Sequence, residues 1–210
     1  MELQQVIRAR RMVRNFDPRP VPAEVLDRVL ANAVRAPSAG FAQGWAFVVL
    51  QGPQETAPFW ELTTTPEWRA RRPRRAGVQA APIVILPLAH EQAYLDRYAE
   101  PDKAGLGMET AEGWPVPYWL IDTAFATLLM LLTAVDAGLG ALFFGIFQGE
   151  RELLEHLGVP PGYRPIGAVA LGYPAAPDPL SLSLARGRRE LDEVVHRGRW
   201  DRPAHPQEPA

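Results

Sequence analysis

Over residues 119–147 the chain carries its most apolar stretch, WLIDTAFATLLMLLTAVDAGLGALFFGIF, which two aspartates, Asp122 and Asp136, divide. The uncharged run between them is shorter than the roughly 20 residues that a bilayer-spanning helix requires. The stretch therefore predicts a buried core helix over 119–137, closed by Gly138 and Gly140 and passing directly into a buried strand over 141–146. A helix of that kind needs a layer of similar length to cover it.

The remaining sequence supplies one. Residues 46–50 (AFVVL), 83–88 (IVILPL) and 166–171 (IGAVAL) are short, partly β-branched apolar runs bounded by Gly or Pro, as buried strands are. From Pro22 the segment PAEVLDRVLANAVRA puts Val25, Leu26, Val29, Leu30 and Ala33 on one helical face, with the proline in the first turn where its missing N–H does no harm. A short helix over 151–157 stops at Gly158. Residues 60–75 hold two tryptophans and five arginines, and 101–117 form a Gly- and Pro-rich excursion that reads as a pocket cover. The order of elements lacks the regular alternation of a doubly wound fold, which predicts an α+β architecture with a mainly antiparallel sheet flanked by helices. No GxGxxG follows a predicted strand and no phosphate loop occurs, so a dinucleotide-binding Rossmann site is disfavoured.

At 210 residues the chain predicts a single domain over 1–200, followed by a polar, Pro-rich tail at 201–210 that reads as disordered. The net charge of -2 gives no general attraction to nucleic acid or to an anionic membrane. The absence of cysteine removes disulfides, thiolate nucleophiles and cysteine-ligated metals. His90, His156, His196 and His205 are scattered without metal-ligand spacing, so no metal is expected. The first residues lack the apolar run of a signal peptide, and a cytoplasmic location is the expectation.

Three segments could carry chemistry. IRARRMVRNF gathers Arg8, Arg10, Arg11 and Arg14, and Arg186, Arg188 and Arg189 form a second basic cluster; guanidinium groups bind phosphate in a bidentate manner, although surface arginines have the same appearance. Between the amphipathic helix and the first strand lies APSAGFAQGW, residues 36–45, whose small residues would let backbone approach a planar ligand. GLGALFFGIF, residues 138–147, reads equally well as buried strand.

Taken in order, these segments resemble the nitroreductase family. RRMVRNF is similar to its RRSxRxF signature, APSAGFAQGW to its APSxxNxQPW loop, GLGALFFGIF to its GLGxxxxGGF segment, and ALGYPA with RGRRELDEVV to its closing motifs. The resemblance implies an α+β sandwich that forms an intertwined homodimer with FMN at the subunit interface. It also implies an oxidoreductase in which NAD(P)H and a small acceptor, such as a nitroaromatic or a quinone, react by a ping-pong mechanism. By the same resemblance Arg10, Arg186 and Arg188 are phosphate ligands, while Arg14 is the catalytic cation beside the flavin pyrimidine edge. Arg11, Met12, Pro37, Ser38, Ala39, Phe41 and Gln43 line the cofactor, and the backbone at Gly145 and Ile146 faces its hydride-accepting nitrogen. Met12 stands where the family has serine, Phe41 where it has asparagine and Gly44 where it has proline, and neither Met12 nor Phe41 can hydrogen-bond the cofactor through its side chain. Two further readings stay open: a flavin-binding or flavin-consuming protein without turnover, and a deazaflavin-linked oxidoreductase in which the arginine-rich stretch 69–75 meets an acidic ligand.

Overall fold

The computed structural model describes residues 1–67 and 77–200; the arginine-rich stretch 69–75 and the tail 201–210 fall outside the described residues. The chain groups into two units, Met1–Asp178 and Pro179–Ala210, where the sequence reading draws one domain to residue 200.

The first unit is built on an antiparallel sheet. Its long strands are β2 (Trp45–Gln51), β3 (Ile83–His90) and β6 (Ala168–Pro174), with β4 (Gly140–Phe144) pairing along the other edge of β6. Two short strands, β1 (Phe16–Asp17) and β5 (Tyr163–Pro165), pair with the end of β6 and the end of β3. β3 pairs with β6 through Ile85 and takes up β5 from Leu88 onward, and Pro87, which has no N–H to donate, sits at the changeover.

The sheet is buried on both faces, which is why β3 reads as a continuous apolar run. Ile83 and Ile85 face the core formed with α2 (Ala23–Ala33) and α5 (Tyr118–Asp136), whose contributions include Leu26, Val29, Ala126 and Met130. Val84, Leu86 and Leu88 face a second core that contains Phe59 and Trp60 of α3 (Pro53–Thr63) and Leu153 of α6 (Glu150–His156). The architecture is thus α+β, a central antiparallel sheet between helical layers, as the sequence predicts. The α2 face is the expected one, with Leu26, Val29 and Ala33 buried and Val25 and Leu30 packed at the margin.

By length and composition α5 could cross a membrane. Instead it packs on the sheet, and its buried Thr123 and Thr127 hydroxyls donate to the helix's own carbonyls at Trp119 and Thr123, 2.7 and 2.8 Å away. α5 is a core helix with one bare side, on which Phe125 and Leu128 are exposed. α1 (Leu3–Ala9) packs against it and leaves Leu3 and Ile7 exposed as well.

Several boundaries differ from expectation. β4 ends at Phe144, so Gly145 and Ile146 lie beyond the strand, and β6 starts at Ala168 rather than 166. A helix absent from the sequence reading, α4 (Glu91–Ala99), follows β3 without a loop. The 101–117 excursion consists of turns with a short 3-10 segment at Ala111–Gly113, after which Trp114 is buried and donates from its indole N–H to the Met108 carbonyl at 2.8 Å.

In the second unit a 3-10 turn, Leu182–Arg186, is capped by the Ser181 hydroxyl, and the short helix α7 (Leu191–Val194) follows. Arg189 pairs with Glu193 at 3.1 Å, His196 stacks on Trp200, and Leu182 and Trp200 are largely exposed.

Candidate active site

The arginine segment 10–14 leaves α1 at Arg10 and runs in extended form beside β4, where the Val13 N–H donates to the Ala141 carbonyl at 3.0 Å. Val13 also packs where a side chain on Gly140 would lie. One buried carboxylate organises this segment. Asp178 takes an ion pair from the Arg11 guanidinium and accepts the Arg14 backbone N–H at 3.1 Å, with its own side chain only 6% exposed. Asn15 adds two ties to the same stretch, accepting from the Ala175 N–H at 2.9 Å and donating to the Pro177 carbonyl at 3.0 Å. The chain over 175–178, directly after β6, is therefore a brace for the arginines.

Each sequence-predicted arginine has a distinct setting. Arg11 is committed to Asp178. Arg14 is half-buried, and its guanidinium donates back to the Met12 carbonyl at 3.0 Å. Arg10 is half-buried at the helix C-cap. The Met12 side chain packs against both hydrophobic cores, so this departure from the family serine serves the interior of the protein. In the second unit Arg186 ends the 3-10 turn and Arg188 follows Gly187, both exposed.

The second motif is a tight loop between α2 and β2. Gly40, Phe41 and Gln43 have φ of 58, 59 and 51°, a left-handed conformation that non-glycine residues adopt at a cost and that clusters at functional sites. The Ser38 hydroxyl accepts the Gln43 N–H at 3.1 Å and closes the loop on itself. Ala39 donates its N–H to the buried carboxylate of Asp122 at 2.8 Å, and the Gly40 carbonyl accepts from Arg97 at 2.9 Å. Pro37, Phe41 and Gln43 face outward, Phe41 with 73% of its surface exposed. Gly44 is required by close approach, because a Cβ there would lie 2.4 Å from the Tyr94 ring. That ring occupies the space the family proline would fill. Gly145 and Ile146 follow β4, and a Cβ on Gly145 would meet the Phe147 ring at 3.0 Å.

The two motifs do not meet within one chain. The arginine segment lies at the end of the sheet defined by Gly140, Gly172 and Ile83, while the 38–44 loop is bound to the other end, where the His90 N–H donates to the Gly44 carbonyl. The seven-residue rise along β3 separates these ends by roughly 20 Å. Asp122 and Asp178, which anchor one motif each, are the residues that the sequence reading missed; no local pattern marks either one, since their partners are distant in the chain.

Among the described residues no group of His, Cys, Asp and Glu could hold a metal ion. The donor set suits an organic anion instead: guanidinium groups for a phosphate, and, on the loop, a hydroxyl, an amide and small residues for a planar ring.

Comparison with known proteins agrees with this fold. Residues 7–173 match the model of the nitroreductase family, and the chain belongs to that family. It is 28% identical over 181 residues, 83% of this chain and 78% of the relative, to a Methanothermobacter thermautotrophicus protein whose name joins NADH dehydrogenase with NAD(P)H nitroreductase. Identity to an NADH dehydrogenase of Thermus thermophilus is 31% over 185 residues, 79% of this chain and 83% of the relative. The fold is shared with a Desulfovibrio desulfuricans protein solved in complex with FMN, at a TM-score of 0.66 and 24% identity over 93% of this chain and 95% of that one.

Proposed function

We propose that this protein is an FMN-dependent NAD(P)H oxidoreductase that works as a homodimer, with each flavin held by the arginine segment of one chain and the 38–44 loop of the other. The observation that carries the reading is the placement of the two motifs at opposite ends of one sheet, which a two-fold pairing of chains can bring together. The bare side of α5, with Phe125 and Leu128 exposed, is the apolar surface such a pairing would bury.

Arg10, Arg186 and Arg188 are assigned to the phosphate, where charge-assisted bidentate bonds are strongest. Arg14 is assigned to the pyrimidine edge, where a fixed cation favours the reduced, negatively charged ring. Arg11 acts through Asp178 to hold the segment straight. Ser38 and Gln43 would present hydrogen-bonding groups, Ala39 would line the ring, Pro37 and Phe41 would shape the opening, and the backbone at Gly145 and Ile146 would face the hydride-accepting nitrogen. Bound FMN supplies the hydride chemistry, and the protein supplies orientation and electrostatics. NAD(P)H and a small acceptor, a nitroaromatic or a quinone, take turns in one pocket, in a cytoplasmic setting. Residues 1–200 act as one functional domain in this scheme.

The test is rapid-mixing reduction of the FMN-loaded protein by NADH and by NADPH, followed by reoxidation with a quinone. Reduction by at least one donor, with parallel double-reciprocal plots against both substrates, supports the proposal. A bound flavin that neither donor reduces would mark a flavin-binding protein without this activity.

A further inference from the structure

α5 is apolar over most of its length, yet Asp122 sits within it at 3% exposure. A buried carboxylate is costly unless donors surround it. Asp122 has two donors on one oxygen: the Ala39 N–H at 2.8 Å and the Tyr94 hydroxyl at 2.9 Å. Tyr94, on α4, is completely buried. Its ring fills the space beside Gly44, where a Cβ would lie 2.4 Å from it. A single carboxylate therefore ties the segment that contains the three left-handed residues directly at Ala39, and holds the phenol whose ring packs against Gly44 at the other end.

A second tie runs from the same helix. Arg97 donates Nε–H to the Gly40 carbonyl at 2.9 Å, while its terminal nitrogens hold Asp102 in a bidentate pair at 2.7 Å each. Burial and the bond to Asp122 raise the Tyr94 phenol above its ordinary value, so it remains a donor across the working pH range.

We infer that Tyr94 and Asp122 are positioning residues whose buried hydrogen-bond relay sets the backbone of the 38–44 loop in its ligand-facing conformation. The inference rests on the FMN reading for the identity of that ligand. Neither residue touches the outward face of the loop; both act on it from below. The strained conformation persists because the surrounding structure over-determines it. The packing also accounts for Gly44: the ring of the family proline would collide with Tyr94.

Three variants test this. Tyr94→Phe keeps the ring beside Gly44 and deletes only the hydroxyl; Asp122→Asn weakens the acceptor; Leu153→Ala, in the opposite core, is a control for stability alone. Hydrogen exchange of peptide 38–44 and the FMN dissociation constant are read for each, together with Tm. Tyr94→Phe and Asp122→Asn should each accelerate exchange in that peptide and weaken FMN by about tenfold, and the double variant should be little worse than the stronger single one, because both break one relay. Leu153→Ala should lower Tm without moving either readout. Unchanged protection of 38–44 in Tyr94→Phe would overturn the inference, and this arm needs no flavin. Faster exchange with unaltered FMN affinity would refute the ligand-facing role of the loop. Failure of the parent protein to bind FMN at all would overturn the functional reading while leaving the exchange result to decide the relay.

Discussion

Replacement of Asp178 should separate the two things that its carboxylate does. One oxygen pairs with Arg11, whose side chain is 38% exposed, and the other accepts the Arg14 N–H at 3.1 Å. Solvent screening limits the ion pair to about 0.2–1 kcal/mol. The Arg14 bond is worth more to keep, because an amide left without an acceptor in a half-buried segment costs about 1–3 kcal/mol. Asp178→Asn retains an acceptor for that amide and should lose about 1 kcal/mol, whereas Asp178→Ala should lose about 2–3 kcal/mol. At roughly 2–4 °C of Tm per kcal/mol for a chain of this size, calorimetry resolves the two variants. FMN affinity should follow the same order, since Asp178 holds Arg14 directly and Arg11 next to Arg10. Equal losses in Asn and Ala would refute the reasoning, as would a loss in Ala below about 0.5 kcal/mol, because the backbone bond would then carry no weight.

Arg10→Ala and Arg188→Ala should each weaken FMN by about 1.5–3 kcal/mol in a fluorescence titration, the range for charge-assisted hydrogen bonds. Arg14→Gln should lower the flavin midpoint potential by tens of millivolts, with about 30 mV corresponding to 1.4 kcal/mol for two electrons, while retaining more FMN affinity than Arg10→Ala; a dye-equilibrated redox titration measures this. Tyr94 predicts an alkaline limit to stability. Its phenol pKa is raised by burial and then by Asp122, so above about pH 10 the folded protein holds a proton that the unfolded chain releases. Its stabilising contribution is intact below that pH and falls by up to about 1.4 kcal/mol per pH unit above it, a slope that Tyr94→Phe should remove in urea melts from pH 9 to 11.

Much of the fold was legible because its longest elements carry their own signal. β3 is apolar at every position that two-sided burial demands, and α2 repeats its buried residues at helical spacing. α4 escaped because only Tyr94 along EQAYLDRYA is buried, which leaves no apolar stripe to read. β1 and β5, at two and three residues, are too short for alternation and exist through pairing with β6 and β3. The candidate site segments carry motifs in the sequence, whereas their supports do not. Asp178 is 167 residues from Arg11, and Asp122 is 83 residues from Ala39. In sequence Asp122 was only a break in an apolar run, and nothing near Gly44 announced that the Tyr94 ring would lie against it.

The central claim, that each flavin site is shared between two chains, can be tested by complementation. Arg10→Ala disables the arginine segment, and Gln43→Gly removes the loop amide at a backbone position that glycine accepts. Each variant alone should bind FMN weakly at both sites of its homodimer. Co-expression with two different tags allows the mixed dimer to be purified and titrated with FMN. In a shared site one position of the mixed dimer combines an intact arginine segment with an intact loop, while the other carries both lesions. The account predicts that half the sites regain the affinity of the unsubstituted protein. A mixed dimer in which every site stays as weak as in its parents would show that each site lies within one chain, and would contradict it.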